Sequence, residues 1–206
     1  MKLLICAILA YLIGSFPTAY IVGKVFFHKN IFNYGSGNVG TTNAYRVFGP
    51  YAGTGVLVVD ILKGTLGALM PVFFGLDHHW ILFIGIFAVI GHVFSIFLKF
   101  RGGKAVATSA GILLAYNPLL FAICFICLAT IVYVTSMVSV ASLTTVLFFA
   151  IASIFLHDWI LTTAAVIVTI IVYVRHIPNI KRLIKGKENL VPIGLAYKRQ
   201  QKNDQK

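Results

Sequence analysis

The chain has 206 residues, of which 59% are hydrophobic and only 11% are charged, and its mean hydropathy is +0.94. This balance excludes an ordinary water-soluble domain, because such a domain cannot hide so much apolar surface from water. A net charge of +12 would favour nucleic-acid binding in a soluble protein. Here the cations stand beside apolar segments, where they orient a membrane protein and contact anionic lipid headgroups, so we expect no nucleic-acid partner. The three cysteines all lie in apolar runs and are expected to be free thiols.

The apolar residues form successive blocks of about the length that transmembrane helices require. Residues 105–135 carry no charge and are too many for one upright crossing of a hydrocarbon layer about 30 Å thick. The turn signal Asn117-Pro118 divides this run, so we expect two short crossings there. The first block begins like a signal peptide, but it is longer than usual and lacks a clear cleavage site, so we expect it to be retained. The sequence thus predicts an all-α polytopic membrane protein with seven transmembrane helices, in blocks at about 3–25, 51–74, 79–99, 105–135 (two helices), 138–156 and 158–175.

Lysine and arginine residues cluster beside three polar segments and are absent from the turns on the opposite side. Because cytoplasmic loops of membrane proteins are enriched in these residues, we expect all three segments to be cytoplasmic. An even number of crossings between Lys104 and Arg175 is then required, which four helices satisfy. The prediction is an outside N-terminus, a cytoplasmic C-terminus, a single seven-helix domain over residues 1–188, and a flexible basic cytoplasmic tail over residues 189–206. The cations concerned are Lys24, Lys29, Arg46, Lys99, Arg101, Lys104, Lys181, Arg182, Lys185 and Lys187.

The first cytoplasmic segment, residues 34–43, reads Tyr-Gly-Ser-Gly-Asn-Val-Gly-Thr-Thr-Asn, and Arg46 follows it. Its glycines allow positive φ angles and a close approach of the backbone to a ligand, and the N–H groups of such turns form a concave anion site. The pattern is neither the dinucleotide fingerprint nor a P-loop, so nucleotide binding is not indicated. The alternative to an anion site is a flexible connector.

Two further segments favour anion binding. Residues 99–109 place paired glycines and cations before a helix N-terminus, which attracts anions. Residues 175–182 place His176 and Asn179 among cations at the end of the last apolar block. The positive-inside rule and the helix dipole also explain the cations, but they do not explain His176 and Asn179.

A few polar side chains lie inside or next to the apolar blocks. Asp60 and Lys63 are spaced i,i+3 on one helical face, and we expect Asp60 to pair with Lys63 or with another cation, either as a structural pair or at the edge of a site. His92 is expected to pack and hydrogen-bond rather than to catalyse. Ser139 and Ser142 lie in an uncharged cytoplasmic turn, where they either face a shared cavity or cap a helix.

Four motifs follow one another along the chain. They are Gly35-Ser36-Gly37-Asn38-x-Gly-x-Thr42-Asn43 with Arg46; Asp60-x-x-Lys63-Gly64; Gly91-His92 followed by Phe100-Arg101-Gly102-Gly103-Lys104-x-Val106-Ala107-Thr108; and Arg175-His176-x-x-Asn179-Ile180-x-Arg182-Leu183-x-x-Gly186-x-Glu188. Together they resemble the PlsY family, the bacterial acyl-phosphate:glycerol-3-phosphate acyltransferases. Ordered motifs at matching spacing over nearly the whole chain are far more specific than any single one. Thr42, Ser95 and Ala105 stand where the family usually has other residues, which leaves the substrate class unaffected.

The resemblance implies transfer of a fatty acyl group from acyl phosphate to the 1-hydroxyl of glycerol 3-phosphate, giving lysophosphatidic acid and phosphate, the first step of phospholipid synthesis. It also implies a cytoplasmic active site in a bacterial cell membrane, contact with membrane lipid, a monomeric chain, and no metal or cofactor. By this likeness the catalytic residues are Lys104, His176 and Asn179. Glycerol 3-phosphate would be held by Ser36, Arg46, Lys104, Ser142, His176 and Asn179. The acyl phosphate would be held by Gly37, Asn38, Gly40, Thr41, Thr42, Asn43, Gly102 and Gly103.

The chemistry of the residues agrees with such a reaction independently of the resemblance. Acyl phosphate is an activated mixed anhydride, so its transfer needs alignment and hydrogen-bond donors rather than a covalent nucleophile or a metal. The proton of the attacking hydroxyl passes either to His176 or to a substrate phosphate. One rival function is a transporter or scaffold whose loops bind anionic lipid, although neither an internal repeat nor a charged pathway supports it. The other is a lipid-phosphate transferase with a nucleotide donor, which would ordinarily need a metal-binding carboxylate cluster.

Overall fold

The computed structural model describes residues 1–204, and the last two residues of the predicted tail lie outside this range. All regular structure in residues 1–204 is helical, which confirms the all-α prediction. Two 3₁₀ turns, Ile31–Asn33 and Ile96–Leu98, accompany the α-helices. The α-helices are α1 (Lys2–Ser15), α2 (Thr18–Phe26), α3 (Thr41–Ala68), α4 (Met70–Phe73), α5 (Trp80–Val93), α6 (Val106–Tyr116), α7 (Pro118–Thr135), α8 (Val138–Ile154), α9 (Trp159–Arg175), α10 (Ile177–Ile184) and α11 (Leu195–Asp204).

Several helices in residues 1–204 have the length and composition of membrane spans. Three segments qualify on their own, namely Lys2–Phe26, Trp80–Leu98 and Pro118–Thr135. A fourth is obtained when α9 and α10, which are bent by 61° relative to each other, count as one span. Helices α6 and α8 are apolar but shorter. A helix therefore lies in each predicted block, while the count of seven crossings and the orientation of the termini stay predictions.

Large apolar side chains point outward along these helices. No residue of α7 is buried, and Leu119 is 70% exposed. On α8, Phe148 is 62% exposed. Helices with apolar outer faces satisfy their backbone hydrogen bonds internally, which is what a hydrocarbon environment demands.

The helices divide into two compact units, the first of which spans Met1–Phe121. In this unit α3 packs closely against α6 because glycines stand where the two backbones meet. A Cβ on Gly64 would overlap the Thr108 carbonyl oxygen, and one on Gly111 would overlap the Ile61 carbonyl oxygen. The Thr65 hydroxyl reinforces the contact by donating to the Gly111 carbonyl oxygen over 2.9 Å. Such small-residue interfaces are typical of helices that pack in membranes.

Two glycines of α3 offer a matched test of this packing. We expect Gly64→Ala to lower the stability of the detergent-solubilised protein by about 1–3 kcal/mol, the usual cost of overpacking a core. Gly55 has open space around the position of a Cβ. Because alanine is the better helix former, Gly55→Ala is expected to leave the melting temperature unchanged or to raise it slightly. Thermal unfolding curves that are equal for the two variants would contradict this description of the interface.

Helix α3 contains a sharp reversal that the sequence analysis did not anticipate. Gly49 has φ 83° and ψ 179°, a conformation that only glycine adopts readily, and Pro50 starts the second half of the helix. The hydroxyl of Thr41 lies 3.4 Å from a carboxylate oxygen of Asp60. On a straight helix these residues would be about 28 Å apart, at a rise of 1.5 Å per residue. The first half of α3 therefore folds back along the second half.

The second unit starts at Ala122 and contains most of α7 and all of α8 to α11. Helix α8 packs on α9, where Thr169 donates to the Val146 carbonyl oxygen over 3.1 Å. The chain beyond Glu188 attaches to Ser136, which has a positive φ of 55° in the turn between α7 and α8. The N–H of Val191 donates to the Ser136 carbonyl oxygen over 2.8 Å, and that of Tyr197 donates to its hydroxyl over 3.0 Å. Helix α11 thus begins from an anchored segment, whereas flexibility of the tail as a whole stays a prediction.

Candidate active site

The glycine-rich segment is a hydrogen-bonded turn that one side chain organises from within. Asn43 is 1% exposed, and its carboxamide oxygen accepts from the Ser36 N–H over 2.8 Å. Its nitrogen donates to the carbonyl oxygens of Tyr34, over 3.0 Å, and Ile31, over 3.4 Å. Gly37 has a positive φ of 67°, which such a tight turn requires. The segment is therefore a built turn, as an anion site needs, and the Asn43 side chain shapes it by binding its backbone.

The side chains of this turn differ in what they present. Ser36 is exposed, and Asn38, Thr42 and Arg46 are half-buried. Thr42 and Arg46 are spaced i,i+4 in the first half of α3, so they lie on one face of that helix. The hydroxyl of Thr41 instead turns towards the buried Asp60.

In the second glycine-containing loop the paired glycines pack against the end of α5. The N–H of Gly102 donates to the Val93 carbonyl oxygen and that of Gly103 to the His92 carbonyl oxygen, each over 3.0 Å. A Cβ on Gly102 would overlap the His92 carbonyl oxygen. A Cβ on Gly103 would overlap the His92 ring. These two N–H groups are thus used within the protein, and glycine is required here by close packing rather than by exposed donors.

The consequence of this packing is a fixed position for Lys104 and for the start of α6. Ala105, with a positive φ of 61°, leads into α6, whose first turn carries backbone N–H groups that have no partner within the helix. Lys104 is half-buried immediately before this turn. A cation next to a helix N-terminus makes a strongly anion-attracting corner.

The two glycine-containing loops meet in the first unit. The guanidinium carbon of Arg101 lies 4.7 Å from the centre of the Phe32 ring, at the entrance to the glycine-rich turn. One apolar cluster joins Val39 of the glycine-rich turn to Leu98, which directly precedes the second loop, and it also contains Ile31, Ala44 and Phe48. These contacts bring the two loops together within the first unit, whereas their location on the cytoplasmic side of the membrane stays a prediction.

The predicted partner of Asp60 is also confirmed. Lys63 Nζ lies 2.8 Å from Asp60 Oδ1, and the two side chains are 6% and 2% exposed. His92, expected to be a packing residue, is buried against Gly103.

In the second unit, His176 stands at the bend between α9 and α10 and is 3% exposed. Its Nδ1 lies 2.8 Å from the Val172 carbonyl oxygen. A carbonyl can only accept, so Nδ1 carries a hydrogen, and Nε2 is then the basic nitrogen of the neutral ring. The N–H of Asn179 donates to the His176 carbonyl oxygen over 2.8 Å, which holds both residues in the same turn.

A carboxylate that the sequence analysis left without a role organises this cluster. Glu188, whose side chain is 3% exposed, accepts from Asn179 Nδ2 over 2.6 Å and from the Ser139 hydroxyl over 3.0 Å. Its other oxygen accepts from Arg182 Nε over 2.8 Å. Burial by itself raises the pKa of Glu188, but the hydrogen bonds from these partners and the charge of Arg182 outweigh it and hold the pKa below its ordinary value. The signal in the sequence was the one acidic residue in the stretch 175–188, whose other charged residues are lysines and arginines.

Ser139 and Ser142 differ in their surroundings. Ser139 binds Glu188, whereas the buried Ser142 hydroxyl has no hydrogen-bond partner within residues 1–204. A buried, unpartnered hydroxyl is costly unless something binds it, so Ser142 is the better candidate for contact with a ligand. Within residues 1–204, no group of three or more His, Cys, Asp or Glu side chains is arranged to hold a metal ion.

Comparisons with known proteins identify the family. A family model described as glycerol-3-phosphate acyltransferase matches residues 4–186. A glycerol-3-phosphate acyltransferase of Latilactobacillus sakei is 56% identical over 206 residues, covering 100% of both chains. One of Lacticaseibacillus casei is 52% identical over 202 residues, covering 97% of this chain and 98% of the other.

Solved structures agree with the sequence comparisons. The crystal structure of PlsY, an integral membrane glycerol 3-phosphate acyltransferase, in its glycerol 3-phosphate form matches with a TM-score of 0.85 at 33% identity, covering 93% of this chain and 96% of that chain. Its lysophosphatidic acid form matches with a TM-score of 0.83. From the family model, the near-complete coverage of its relatives and this shared fold, the chain belongs to the PlsY family of bacterial integral membrane glycerol-3-phosphate acyltransferases.

Proposed function

We propose that this glycerol-3-phosphate acyltransferase takes its acyl group from a fatty acyl phosphate and transfers it to the 1-hydroxyl of glycerol 3-phosphate. The products are lysophosphatidic acid and inorganic phosphate, and the reaction takes place at the cytoplasmic face of the membrane. The observation that carries the proposal is the match, over 93% of the chain, to a PlsY structure described in glycerol 3-phosphate and lysophosphatidic acid forms. The anion-attracting corner at Lys104 supports it, because both substrates carry phosphate groups.

In this proposal each residue that binds glycerol 3-phosphate has a distinct role. Arg46 and Lys104 neutralise its phosphate by charge-assisted hydrogen bonds. Asn179 and His176 orient the attacking hydroxyl, and the buried Ser142 hydroxyl, which has no hydrogen-bond partner within residues 1–204, suits a contact with the polar glycerol. Ser36, exposed at the turn, completes the set.

The acyl-phosphate site is proposed to lie along the glycine-rich turn and the start of α6. Asn38 and Thr42 donate from their side chains, Gly37 and Gly40 allow the backbone to come close, and Asn43 keeps the turn closed. Gly102 and Gly103 act by holding Lys104 and the α6 N-terminus in place, since their own N–H groups bind residues 92 and 93.

The reaction needs no covalent intermediate. The hydroxyl oxygen of glycerol 3-phosphate attacks the acyl carbonyl carbon, a new ester C–O bond forms, and the C–O bond to phosphate breaks with its electron pair leaving on phosphate. Preorganised donors stabilise the charge that develops on the carbonyl oxygen and on the leaving group. His176 Nε2 and the phosphate of the substrate are the two acceptors for the hydroxyl proton. If the imidazole takes the proton, the fall in rate that its protonation causes at acid pH should be absent from a His176→Gln variant.

The proposal is tested by phosphate release from purified protein in detergent. With palmitoyl phosphate and glycerol 3-phosphate together, we expect phosphate and lysophosphatidic acid in equal amounts. Palmitoyl phosphate alone should release phosphate only at the rate of a heat-inactivated sample. Replacing palmitoyl phosphate by palmitoyl-CoA tests the identity of the acyl donor separately from that of the acceptor. Product formed from the thioester and none from the acyl phosphate would refute the donor assignment. A lipid-binding transporter or scaffold, the rival function, would give no product with either donor.

The proposed topology has seven crossings, with the N-terminus outside and the C-terminus in the cytoplasm. It places Asn117 in an outside turn and Lys187 inside. We expect Asn117→Cys, in a background without the three native cysteines, to react with a membrane-impermeant maleimide on intact cells. Lys187→Cys in the same background should react only after the membrane is permeabilised. The reverse pattern would overturn the orientation.

A further inference from the structure

We propose that the buried pair of Asp60 and Lys63 positions the glycine-rich turn, and that it does so through the hydroxyl of Thr41. Asp60 is then a positioning residue that does not touch substrate. The inference rests on the proposed function only in so far as the turn binds substrate.

The pair is an expensive feature for the interior of an apolar protein. Both side chains are at least nine-tenths buried. Burying two charges costs desolvation free energy, and apolar residues of similar volume often give a protein of equal or greater stability. Stability alone is therefore a weak reason for the pair to be there. The contacts of the two side chains give a better reason for the presence of the pair.

The pair joins three segments that are distant in sequence. Asp60 Oδ1 accepts from the Thr18 hydroxyl over 3.0 Å, at the start of α2. Lys63 Nζ donates to the Phe16 carbonyl oxygen over 3.0 Å, at the break between α1 and α2. Asp60 Oδ2 accepts from the Thr41 hydroxyl over 3.4 Å, at the first residue of α3. The carboxylate therefore uses both oxygens, one towards α2 and the other towards the glycine-rich turn.

The contact with Thr41 fixes the position of the start of α3, which matters because the helix reverses direction at Gly49. The first half of α3 is connected to the second half through Gly49, which has a positive φ. At the other end of this first half, no side chain of the described residues caps the helix N-terminus at Gly40. Tyr45 and Thr54 hold its middle through a hydroxyl pair 2.8 Å apart. Thr41 ties the far end, where the turn enters the helix, to the buried carboxylate. Loss of this tie would let the end of the turn, with Asn38 and Thr42 on either side, move relative to the rest of the first unit.

This explanation assigns Thr41 a role different from a direct contact with acyl phosphate. If its hydroxyl binds Asp60, removal of the hydroxyl and removal of the carboxylate have the same effect and do not add. If its hydroxyl binds substrate, the two effects are independent and add. The chain also offers a matched control, because Thr18 donates to the same carboxylate from a helix that does not carry the turn.

The experiment uses four variants of the full chain, and one of them, Thr41→Val, is also combined with the apolar replacement of the pair. Thr41→Val removes the hydroxyl and keeps the ion pair. Asp60→Leu with Lys63→Met replaces the pair by apolar residues and strands no charge. Thr18→Val is the control. We expect Thr41→Val to raise the KM for palmitoyl phosphate by about three- to tenfold, the size of one net hydrogen bond, with kcat within about twofold of the parent. Thr41→Ser should restore the KM, and Thr18→Val should leave it unchanged.

The decisive comparison is Thr41→Val in the apolar background. We expect the Asp60→Leu/Lys63→Met protein to show the raised KM already, with no further rise on adding Thr41→Val. A further rise of the same size as in the parent would show a direct substrate contact and overturn the inference. An apolar background with the parent's KM would show that the pair is merely structural, and would overturn it as well.

A second readout does not depend on catalysis. Amide hydrogen exchange of residues 34–43, followed by mass spectrometry in detergent, is expected to be faster in Thr41→Val and in the apolar background than in the parent or in Thr18→Val. Exchange that is equal in all four proteins would contradict the positioning role. A parent protein that is inactive with both substrates would refute the proposed function, while the exchange data would still decide the role of the pair.

Discussion

Replacing Lys104 by alanine is expected to lower kcat/KM for the acyl transfer by tens- to hundredsfold. Lys104 is half-buried beside the first turn of α6, and the proposal gives it a charge-assisted hydrogen bond to substrate phosphate. Loss of such a bond costs about 1.5–3 kcal/mol, which corresponds to this range of rates. Initial rates of phosphate release at several concentrations of each substrate measure the effect.

A neighbouring lysine provides the control for this experiment. Lys99 lies in the same loop, is exposed, and carries the same charge. If Lys104 acts through a specific contact, Lys99→Ala should change kcat/KM by less than about twofold at moderate salt, because exposed charges are screened. Equal losses in the two variants would mean that the loop acts only through its overall charge. Normal phosphate release by Lys104→Ala would remove Lys104 from the reaction.

The position of Lys104 illustrates what the sequence could and could not predict. The sequence of this loop predicted anion binding, because it combines cations and paired glycines with the start of a helix. The reason for the glycines could not be predicted, because it lies in a contact with His92 and Val93 of the preceding helix. Close approach of two backbones depends on tertiary packing, and no local pattern in the sequence encodes which carbonyl a given N–H will meet.

The same distinction holds in α3. Hydrophobic blocks predicted the helix, and i,i+3 spacing predicted the pair of Asp60 and Lys63, since both depend on short-range periodicity. The reversal at Gly49 was missed because Gly-Pro is a common break that does not specify its angle. As a result, the contact between Thr41 and Asp60 could not be foreseen. The inward orientation of Asn43 was missed for a similar reason, because a polar residue in a glycine-rich turn can bind either a ligand or the turn itself.

The role of Glu188 also could not be predicted from the sequence. Its place in the fourth motif was visible, but its role required knowing that Ser139, Asn179 and Arg182 surround it. A buried carboxylate with several donors orients those donors in return. Glu188 therefore fixes the carboxamide of Asn179, which the proposal places beside the attacking hydroxyl, and a change at Glu188 should affect both stability and turnover.

We expect Glu188→Ala to lower the free energy of unfolding by about 1.5–3 kcal/mol, the cost of losing a hydrogen bond to a charged group. The same variant should also have a lower kcat. The exposed Asp77 is the control carboxylate, and Asp77→Asn should change neither quantity measurably. Thermal unfolding and phosphate release on the same preparations measure both effects. Wild-type stability and turnover in Glu188→Ala would show that the network is dispensable.

The pH dependence of this stabilisation has a definite sign. The pKa of Glu188 in the folded protein lies below its ordinary value of 4.5, because hydrogen bonds from Arg182, Asn179 and Ser139 outweigh the opposing effect of burial. The folded state therefore favours the ionised carboxylate, and its contribution is fully present above the unfolded pKa and is lost as the pH falls through the folded pKa. The difference in melting temperature between the parent and Glu188→Gln should be constant above about pH 5.5 and should shrink progressively below pH 4.5. A difference that grows with acidity would reverse the sign of the shift and would mean that Glu188 is held protonated in the folded protein.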